Sequence, residues 1–297
     1  MIGRVPEPRF DRDFVRAALA LATRGEVDRL LIVSDTALPP SDIRGRPIKR
    51  KLVYAVTTES LAHNLAARKY QAVVIPPYDY SRVEKIKVAL VACQSKDLVR
   101  KGDTILALAG HGPERSLDTI VRIRLGDEDD EPIRVDSLDL GPEFRSQVVE
   151  ALLHVAMEIG AEGYEGHPTG TILVVGDSTA VMEKSRQLTL NPFAGMSEAD
   201  RNCLDPPIRD AIKTFAVLDG AFIIREDGVV LAAGRYLQVV SKNLSLPMGL
   251  GARHSAAAAV TTATKAVAVT VSQTTGTVRF FKGGEIVLEL HQIARRI

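Results

Sequence analysis

One carboxylate in the second half of the chain stands in a setting suited to a phosphate held through a metal ion. Asp219 follows Leu218 and precedes two small residues, Gly220 and Ala221, at the start of the apolar run 222–224. Glycine lets a ligand approach the backbone closely, and a carboxylate supplies the oxygen ligands that Mg²⁺ takes beside substrate phosphates. This segment therefore indicates a metal-assisted phosphate site.

A glycine-rich segment later in the chain is suited to bind negatively charged oxygens. Residues 249–255 read Gly-Leu-Gly-Ala-Arg-His-Ser and open directly onto alanines 256–259, which predict a helix. The free backbone N–H groups and the positive dipole end of a helix N-terminus attract anions. Because Arg253 and His254 lie at this predicted N-terminus, the segment is a candidate anion-binding site.

Each segment taken alone also has a simple structural interpretation. Asp-Gly is a common turn dipeptide, and Arg253 and His254 could each be solvated at the start of a helix. The chain has no GxxxxGK[ST] phosphate loop and no GxGxxG segment between a strand and a helix. If ATP binds, it must use another geometry.

The first half of the chain alternates short apolar runs with helical segments. The pattern predicts helices at 13–24, 60–69 and 82–93, and strands at 29–34, 52–56, 72–75, 104–108 and 120–123. Continuous apolar strands between helices are typical of a mainly parallel sheet covered by helices, so the predicted class is α/β. Segment 109–113 could be taken for a ligand loop, but a glycine-rich turn is the simpler interpretation, and no catalytic group is predicted in this half.

The second half is predicted to form an α/β domain with a mixed sheet flanked by helices. A long helix is expected from 144 to 159, because its apolar residues recur at helical spacing. Glu226-Asp227-Gly228 lies between two apolar runs and predicts a hairpin. Further helices are predicted at 208–215 and 253–264, and strands at 171–175, 222–224, 229–231, 267–271, 277–281 and 285–290.

Length and charge limit the organisation and the partners of the chain. Its 297 residues suit two domains, and residues 126–142, which include the acidic run 127–131, are the predicted linker. The predicted domains are therefore 1–125 and 143–297. With 38 Lys and Arg against 37 Asp and Glu, the chain has no basic field, so neither nucleic acid nor a membrane is an expected partner.

Cysteine usage and hydropathy predict a cytoplasmic protein. Cys93 and Cys203 lie far apart without a CxxC partner, which suits a reducing compartment. The N-terminus lacks the apolar region of a signal peptide, and no apolar run approaches the ~18 residues that a membrane span needs.

The order and spacing of the motifs resemble those of one family. Leu-Asp-Gly-Ala at 218–221, Gly-x-Gly-x-Arg-His at 249–254 and a strand ending at Ser272 resemble the diadenylate cyclase (DAC) domain over roughly residues 145–290. This family condenses two ATP into cyclic di-AMP and releases two pyrophosphates. The first half is similar in pattern to the pyruvate kinase C-terminal-like domain that precedes the DAC domain in archaeal diadenylate cyclases.

The resemblance implies roles for individual residues. Asp219 is expected to bind the catalytic metal, Mn²⁺ or Mg²⁺, and to help prepare the 3′-hydroxyl, while Arg253 and His254 hold the phosphates as catalytic residues. The residues expected to contact the nucleotide are Leu218 against the adenine, Gly220, Ala221, Gly251, Ser255 and Ser272.

Several positions depart from the family pattern. Thr262 and Lys265 stand where many members have acidic residues. Gln273 stands where many members have a glutamate that binds the metal, and it offers only a neutral oxygen. The predicted metal ligands are thus Asp219 and Gln273, with the metal held more weakly or mainly by the phosphates. The departure leaves open an alternative, a DAC-fold regulator that binds nucleotide but has lost turnover. A nucleic-acid-linked role, known in relatives with a DNA-binding domain, is disfavoured by the neutral charge.

The implied product has two equivalent halves, whereas the domain carries a single set of motifs. Two domains facing each other across a two-fold axis would place each 3′-hydroxyl at the other nucleotide's α-phosphate. The predicted active form is therefore a homo-oligomer with paired DAC domains.

Overall fold

The computed structural model describes residues 9–36, 47–77, 80–110, 117–126, 145–239, 246–247 and 249–291. The chain divides into two compact units, Met1–Leu138 and Asp139–Ile297. Outside the described residues lie nearly all of the predicted linker, residues 111–113 of the segment 109–113, and residue 144, where the long helix was expected to begin.

The first unit is an α/β domain built on a five-stranded sheet. Its helices are α1 (Arg9–Arg24), α2 (Glu59–Ala67) and α3 (Arg82–Ser95), and its strands are β1 (Arg29–Val33), β2 (Leu52–Val56), β3 (Gln71–Val74), β4 (Thr104–Ala109) and β5 (Thr119–Arg124), with a short 3-10 helix at Pro47–Lys51. The strand order is β3-β2-β1-β4-β5. Strands β1 to β4 run parallel and β5 is antiparallel to β4, so the predicted mainly parallel sheet is confirmed.

The second unit contains a seven-stranded mixed sheet, as predicted. The order is β12-β11-β10-β6-β8-β9-β7, and β6 with β8 is the parallel pair. The elements are α4 (Ser146–Glu162), β6 (Thr171–Val175), α5 (Ser178–Glu183), β7 (Ser185–Gln187), a 3-10 turn (Ala199–Arg201), α6 (Pro206–Phe215), β8 (Ala221–Ile224), β9 (Val230–Leu237), α7 (Ala252–Ala263), β10 (Val267–Val271), β11 (Val278–Lys282) and β12 (Glu285–Leu290).

Helices cover both faces of this sheet. Helix α7 packs through fully buried Ala257 and Ala258 onto the face that carries Ala221, Ile223 and Phe281. Alanine side chains are small, so the helix axis can lie close to the strands. Helix α4 packs on β10, β11 and α6, and the described residues of its predicted apolar stripe, Val148, Leu152, Val155 and Ile159, are buried.

Strand direction gathers the predicted site residues at one edge of the sheet. Ala221 of β8 pairs with Ile172 of β6 in parallel, and Val271 of β10 pairs with Thr171 in antiparallel fashion. The residues that precede β8 and β6 therefore lie beside those that follow β10. Helix α7 leads into β10 through a short turn, which brings its N-terminus back to the same edge.

Three elements of the second unit, α5, β7 and β9, differ from the sequence-based prediction. Helix α5 and strand β7 were not predicted, and β9 continues to Leu237 where the strand was expected to end at 231. Strand β7 has three residues, of which Arg186 and Gln187 are exposed, so it shows no apolar period and depends on pairing with β9. Within the described residues, no helix combines the length and the apolar character needed to cross a bilayer.

Candidate active site

Arg253 brings together two residues from distant parts of the chain. Its Nη1 donates a hydrogen bond of 3.3 Å to Oε1 of Gln273, and its Nη2 lies 3.7 Å from Oδ1 of Asp219. The side chain of Asp219 is 92% exposed and that of Arg253 is 35% exposed. An ion pair this open and this long is weak, so both charges remain available to a ligand.

The backbone at Asp219 is held in place by its neighbour in the chain. Gly220 has φ +102, and a Cβ there would lie 2.6 Å from the backbone nitrogen of Arg235 in β9. Only glycine fits this close approach without strain. The described contacts of Gly220 are thus with β9, and its predicted role in leaving room for the nucleotide stays a prediction.

Leu218 and Ala221, the residues that flank Asp219 and Gly220, differ in their access to solvent. Leu218 is half-buried and its N–H donates to the carbonyl of Phe215 at the end of α6. Ala221 is fully buried with its side chain in the core under α7. A nucleotide could reach Ala221 only through the backbone, whereas Leu218 still presents part of its apolar side chain.

The N-terminus of α7 is open. Gly251 is the exposed N-cap residue, and no side chain of the described residues caps the helix. A Cβ at Gly251 would meet no atom within 4 Å, so protein packing does not require glycine here. Ser255, in the first turn, is exposed. Uncapped N–H groups beside Arg253 form a site suited to phosphate oxygens.

His254 lies beneath this surface. Its residue is 6% exposed, and its ring centroid lies 6.2 Å from that of Phe281. Nε2 is 3.2 Å from Nη1 of Arg279, while Nδ1 is buried without a hydrogen-bond partner among the described residues. Burial lowers the pKa of His254, and the positive charge of Arg279 lowers it further, so the imidazole is neutral near pH 7.

The turn after β10 positions Ser272 and Gln273. Ser272 is buried, its N–H donates to the carbonyl of Thr277, and its Oγ accepts from the N–H of Thr275 at 3.4 Å. Gln273 is exposed. Gly170, just before β6, packs against this turn, because a Cβ there would lie 2.9 Å from the N and Cβ of Gln273.

The structure thus brings Asp219, Gly251, Arg253, Ser272 and Gln273 to one edge of the sheet. Sequence reasoning missed Gly170, Arg279 and Glu289. The only available signal for Gly170 was its place directly before a fully apolar strand. Arg279 and Glu289 alternate with apolar residues in their strands and gave no signal of a functional role.

The donor set fits a hard divalent cation that takes most of its ligands from a substrate. Among the described residues, no group of three or more His, Cys, Asp or Glu side chains could hold a metal ion. Asp219 and Gln273 contribute oxygen atoms, both within reach of the same guanidinium. Mg²⁺-like ions are commonly held by one or two carboxylates, water and substrate phosphates.

An open helix N-terminus, an arginine and a solvent-facing carboxylate at a sheet edge are features suited to a phosphorylated ligand. A family model described as "DisA bacterial checkpoint controller nucleotide-binding" (DAC) matches residues 158–286, which contain every predicted site residue. A second model, "Probable sensor domain DacZ_P", matches residues 11–130.

Two curated relatives match across both units. The diadenylate cyclase of Haloferax volcanii is 36% identical over 218 residues, which cover 72% of this chain and 78% of the relative. The diadenylate cyclase of Methanocaldococcus jannaschii is 38% identical over 205 residues, 69% of this chain and 65% of the relative. The chain belongs to the diadenylate cyclase family, and the resemblance found in the sequence is confirmed.

Solved structures align with about half of the chain. A hypothetical membrane spanning protein from Bacillus cereus aligns with 48% of this chain and 62% of its own, at a TM-score of 0.36 and 19% identity. A double mutant of DacA from Staphylococcus aureus aligns with 50% of this chain and 87% of its own, at a TM-score of 0.34 and 20% identity.

Proposed function

We propose that the protein condenses two ATP molecules into cyclic di-AMP at the sheet edge that carries Asp219 and Arg253. As a diadenylate cyclase it is a nucleotidyltransferase. The observation that supports this location best is the meeting of the two predicted motifs, because Nη2 of Arg253 lies 3.7 Å from Oδ1 of Asp219. The guanidinium of Arg253 and the carboxylate of Asp219 thus lie near each other, and both are accessible to a ligand.

The reaction needs a 3′-hydroxyl oxygen of one ATP to attack the α-phosphorus of the other. A P–O bond forms, the bond to the β-phosphate oxygen breaks, pyrophosphate leaves, and the hydroxyl proton passes to solvent or a nearby base. A second transfer closes the ring. Arg253 and the N–H groups of α7 would bind the triphosphate and stabilise the charge that develops during displacement. Asp219 would lie near the attacking hydroxyl.

A divalent metal, Mn²⁺ or Mg²⁺, is part of the proposal, with Asp219 and Gln273 as its protein ligands. Such an ion, when bound, neutralises phosphate charge and orients an in-line displacement. Because Gln273 is neutral, Asp219 is the single carboxylate among the proposed ligands, and the substrate phosphates would supply most of the negative charge that binds the metal. Arg253 lies close to both proposed ligands, with Nη1 3.3 Å from Oε1 of Gln273 and Nη2 3.7 Å from Oδ1 of Asp219.

We further propose that two copies of the second unit pair with their sites facing each other. Several large apolar side chains of this unit stay exposed, among them Leu188, Leu190, Val217 and Tyr236. Leu190 is 89% exposed, and the N–H of Leu188 donates to the carbonyl of Gly234, whose backbone lies beside Asp219. A second copy is the occupant that the symmetric product requires, and it would cover this surface.

We also propose a domain organisation for the whole chain. We assign residues 1–125 to a sensor-like α/β domain, 126–142 to a linker and 143–297 to the DAC domain. We also propose a cytoplasmic location, supported by two cysteines without a CxxC partner. The near balance of 38 Lys and Arg against 37 Asp and Glu supports a role without nucleic acid or a membrane as partner.

Product formation tests the proposal directly. Purified full-length protein is incubated with ATP and Mg²⁺, Mn²⁺ or Co²⁺ in turn, and cyclic di-AMP and pyrophosphate are measured by chromatography and a coupled assay. The expected result is one cyclic di-AMP for every two pyrophosphates. ATP that is bound but unchanged with all three metals would contradict catalysis and support the regulator that Gln273 leaves open.

A further inference from the structure

A chain of polar side chains lies behind Arg253, between α7 and the sheet. Nη1 of Arg279 is 3.2 Å from Nε2 of His254, and Nη2 of Arg279 donates a 2.6 Å hydrogen bond to Oε1 of Glu289. Arg279 and Glu289 are directly paired across β11 and β12. The side chain of Arg279 is only 13% exposed, so this contact is largely shielded from water.

The partner of Nε2 determines the protonation of the imidazole. A guanidinium has N–H donors and no acceptor. In this contact Nε2 of His254 must therefore accept, which leaves the ring proton on Nδ1. The charged groups that act on His254 are Arg279 on β11, Glu289 on β12 and Arg253 on its own helix; burial and the two arginines lower its pKa, while Glu289 opposes them. His291 lies 3.4 Å from Glu289.

The Nδ1–H of His254 is then an unsatisfied hydrogen-bond donor. Nδ1 is buried and has no hydrogen-bond partner in the described part of the chain. A buried donor without an acceptor is unfavourable, and His254 lies in the first turn of α7, where phosphate oxygens are expected. Because Nδ1 is buried, we expect the first turn of α7 to shift when the nucleotide binds, so that a phosphate oxygen accepts this hydrogen bond.

We propose that Arg279, tied to Glu289, is a positioning residue that holds His254 as a neutral imidazole with its proton on Nδ1, so that His254 gives the nucleotide a hydrogen bond and no charge. The inference rests on the proposed function, since it takes the triphosphate to lie at the α7 N-terminus. The two residues then have different roles. Arg253 gives the phosphates a positive charge, and His254 gives them a hydrogen-bond donor of fixed direction.

The protonation state is read directly by nitrogen NMR on nucleotide-free, full-length protein labelled with ¹⁵N-histidine. His254→Gln identifies its signals among those of the six histidines. In the wild type we expect Nδ1 to carry the proton and Nε2 to be bare at neutral pH. In Arg279→Met, which removes the donors but keeps an apolar chain of similar length, Nε2 should become protonated and the imidazolium should form at higher pH.

Nucleotide binding and turnover give the functional readout. Arg279→Met should weaken ATP binding and raise KM by about 10- to 100-fold, as for the loss of one hydrogen bond to a charged group, with a smaller fall in kcat. Arg279→Lys keeps a donor and a charge and should recover part of the loss. Glu289→Gln keeps Arg279 but loosens it, so the same changes should occur in weaker form.

Thr270→Val is the matched control. Thr270 pairs directly with Arg279 across β10 and β11, and its buried hydroxyl has no hydrogen-bond partner among the described residues. This variant changes the same layer without touching the contact, and it should leave the tautomer and KM as in the wild type.

The outcomes separate this inference from the proposed function. An Nε2 proton on His254 in the wild type, or a KM and ATP affinity unchanged in Arg279→Met, would overturn the role of Arg279 even if cyclic di-AMP forms. Absence of product in the wild type would count against the proposed function, while the tautomer and the ATP affinity would still decide the role of Arg279.

Discussion

Replacing Gly220 by alanine should destabilise the second unit, because the backbone there leaves no room for a side chain. The φ of +102 costs a non-glycine residue about 1–3 kcal/mol. The new Cβ would also lie 2.6 Å from the nitrogen of Arg235 and 2.7 Å from the carbonyl carbon of Gly234, and overpacking of this kind typically adds about 1–3 kcal/mol. The free energy of unfolding should fall by about 2–6 kcal/mol.

The assay is urea unfolding followed by far-UV circular dichroism. With an m-value of about 2 kcal/mol per molar urea, the midpoint should fall by about 1–3 M. Hydrogen exchange of peptides from 221–237 should show faster opening of the β8–β9 pair. Gly251→Ala is the matched control, because its Cβ would meet no atom within 4 Å and its φ is −80; its stability should change by less than about 1 kcal/mol.

The pair of variants also separates structural from ligand-binding glycines. If phosphates approach the α7 N-terminus, Gly251→Ala should raise KM for ATP while the midpoint stays unchanged. A Gly220→Ala protein with a wild-type urea midpoint and a reduced affinity for ATP would refute the packing argument. It would show instead that the nucleotide, and not β9, requires glycine at this position.

Three further predictions concern the reaction itself. Asp219→Asn keeps the volume but removes the charge of the single carboxylate proposed as a metal ligand, so turnover should fall by ~10²-fold or more with the urea midpoint unchanged; near-normal turnover would remove Asp219 from the metal site. Gln273→Glu adds a second carboxylate, so the metal concentration for half-maximal activity should fall by about tenfold; an unchanged metal titration would place Gln273 outside the metal site. In co-refolded mixtures of wild type and Asp219→Asn, activity should fall roughly as the square of the wild-type fraction, because only unmixed pairs are intact; a straight line with confirmed subunit exchange would contradict a shared site.

Local sequence patterns were sufficient for most of the architecture. Strands such as β2, β6 and β10 are buried along their whole length, so they appear as continuous apolar runs between turn residues, and the α4 stripe appears at helical spacing. The family could be found for a similar reason. Each of its motifs is a short segment whose residues act together from neighbouring positions, so their identity and order survive in a linear string.

Contacts between residues far apart in the sequence were decided by the tertiary structure alone. Strand β7 exists because β9 pairs with it, and its three residues carry no period of their own. The sequence placed His254 beside Arg253 but could not tell that one side chain faces solvent and the other lies under the helix. Helix rotation on the sheet settles that difference, and it is set by the packing of Ala257 and Ala258. The same packing brings His254 to Arg279, 25 residues away in the chain. This contact could not be predicted from the sequence, because a hydrogen bond depends on distance in space and not on spacing along the chain.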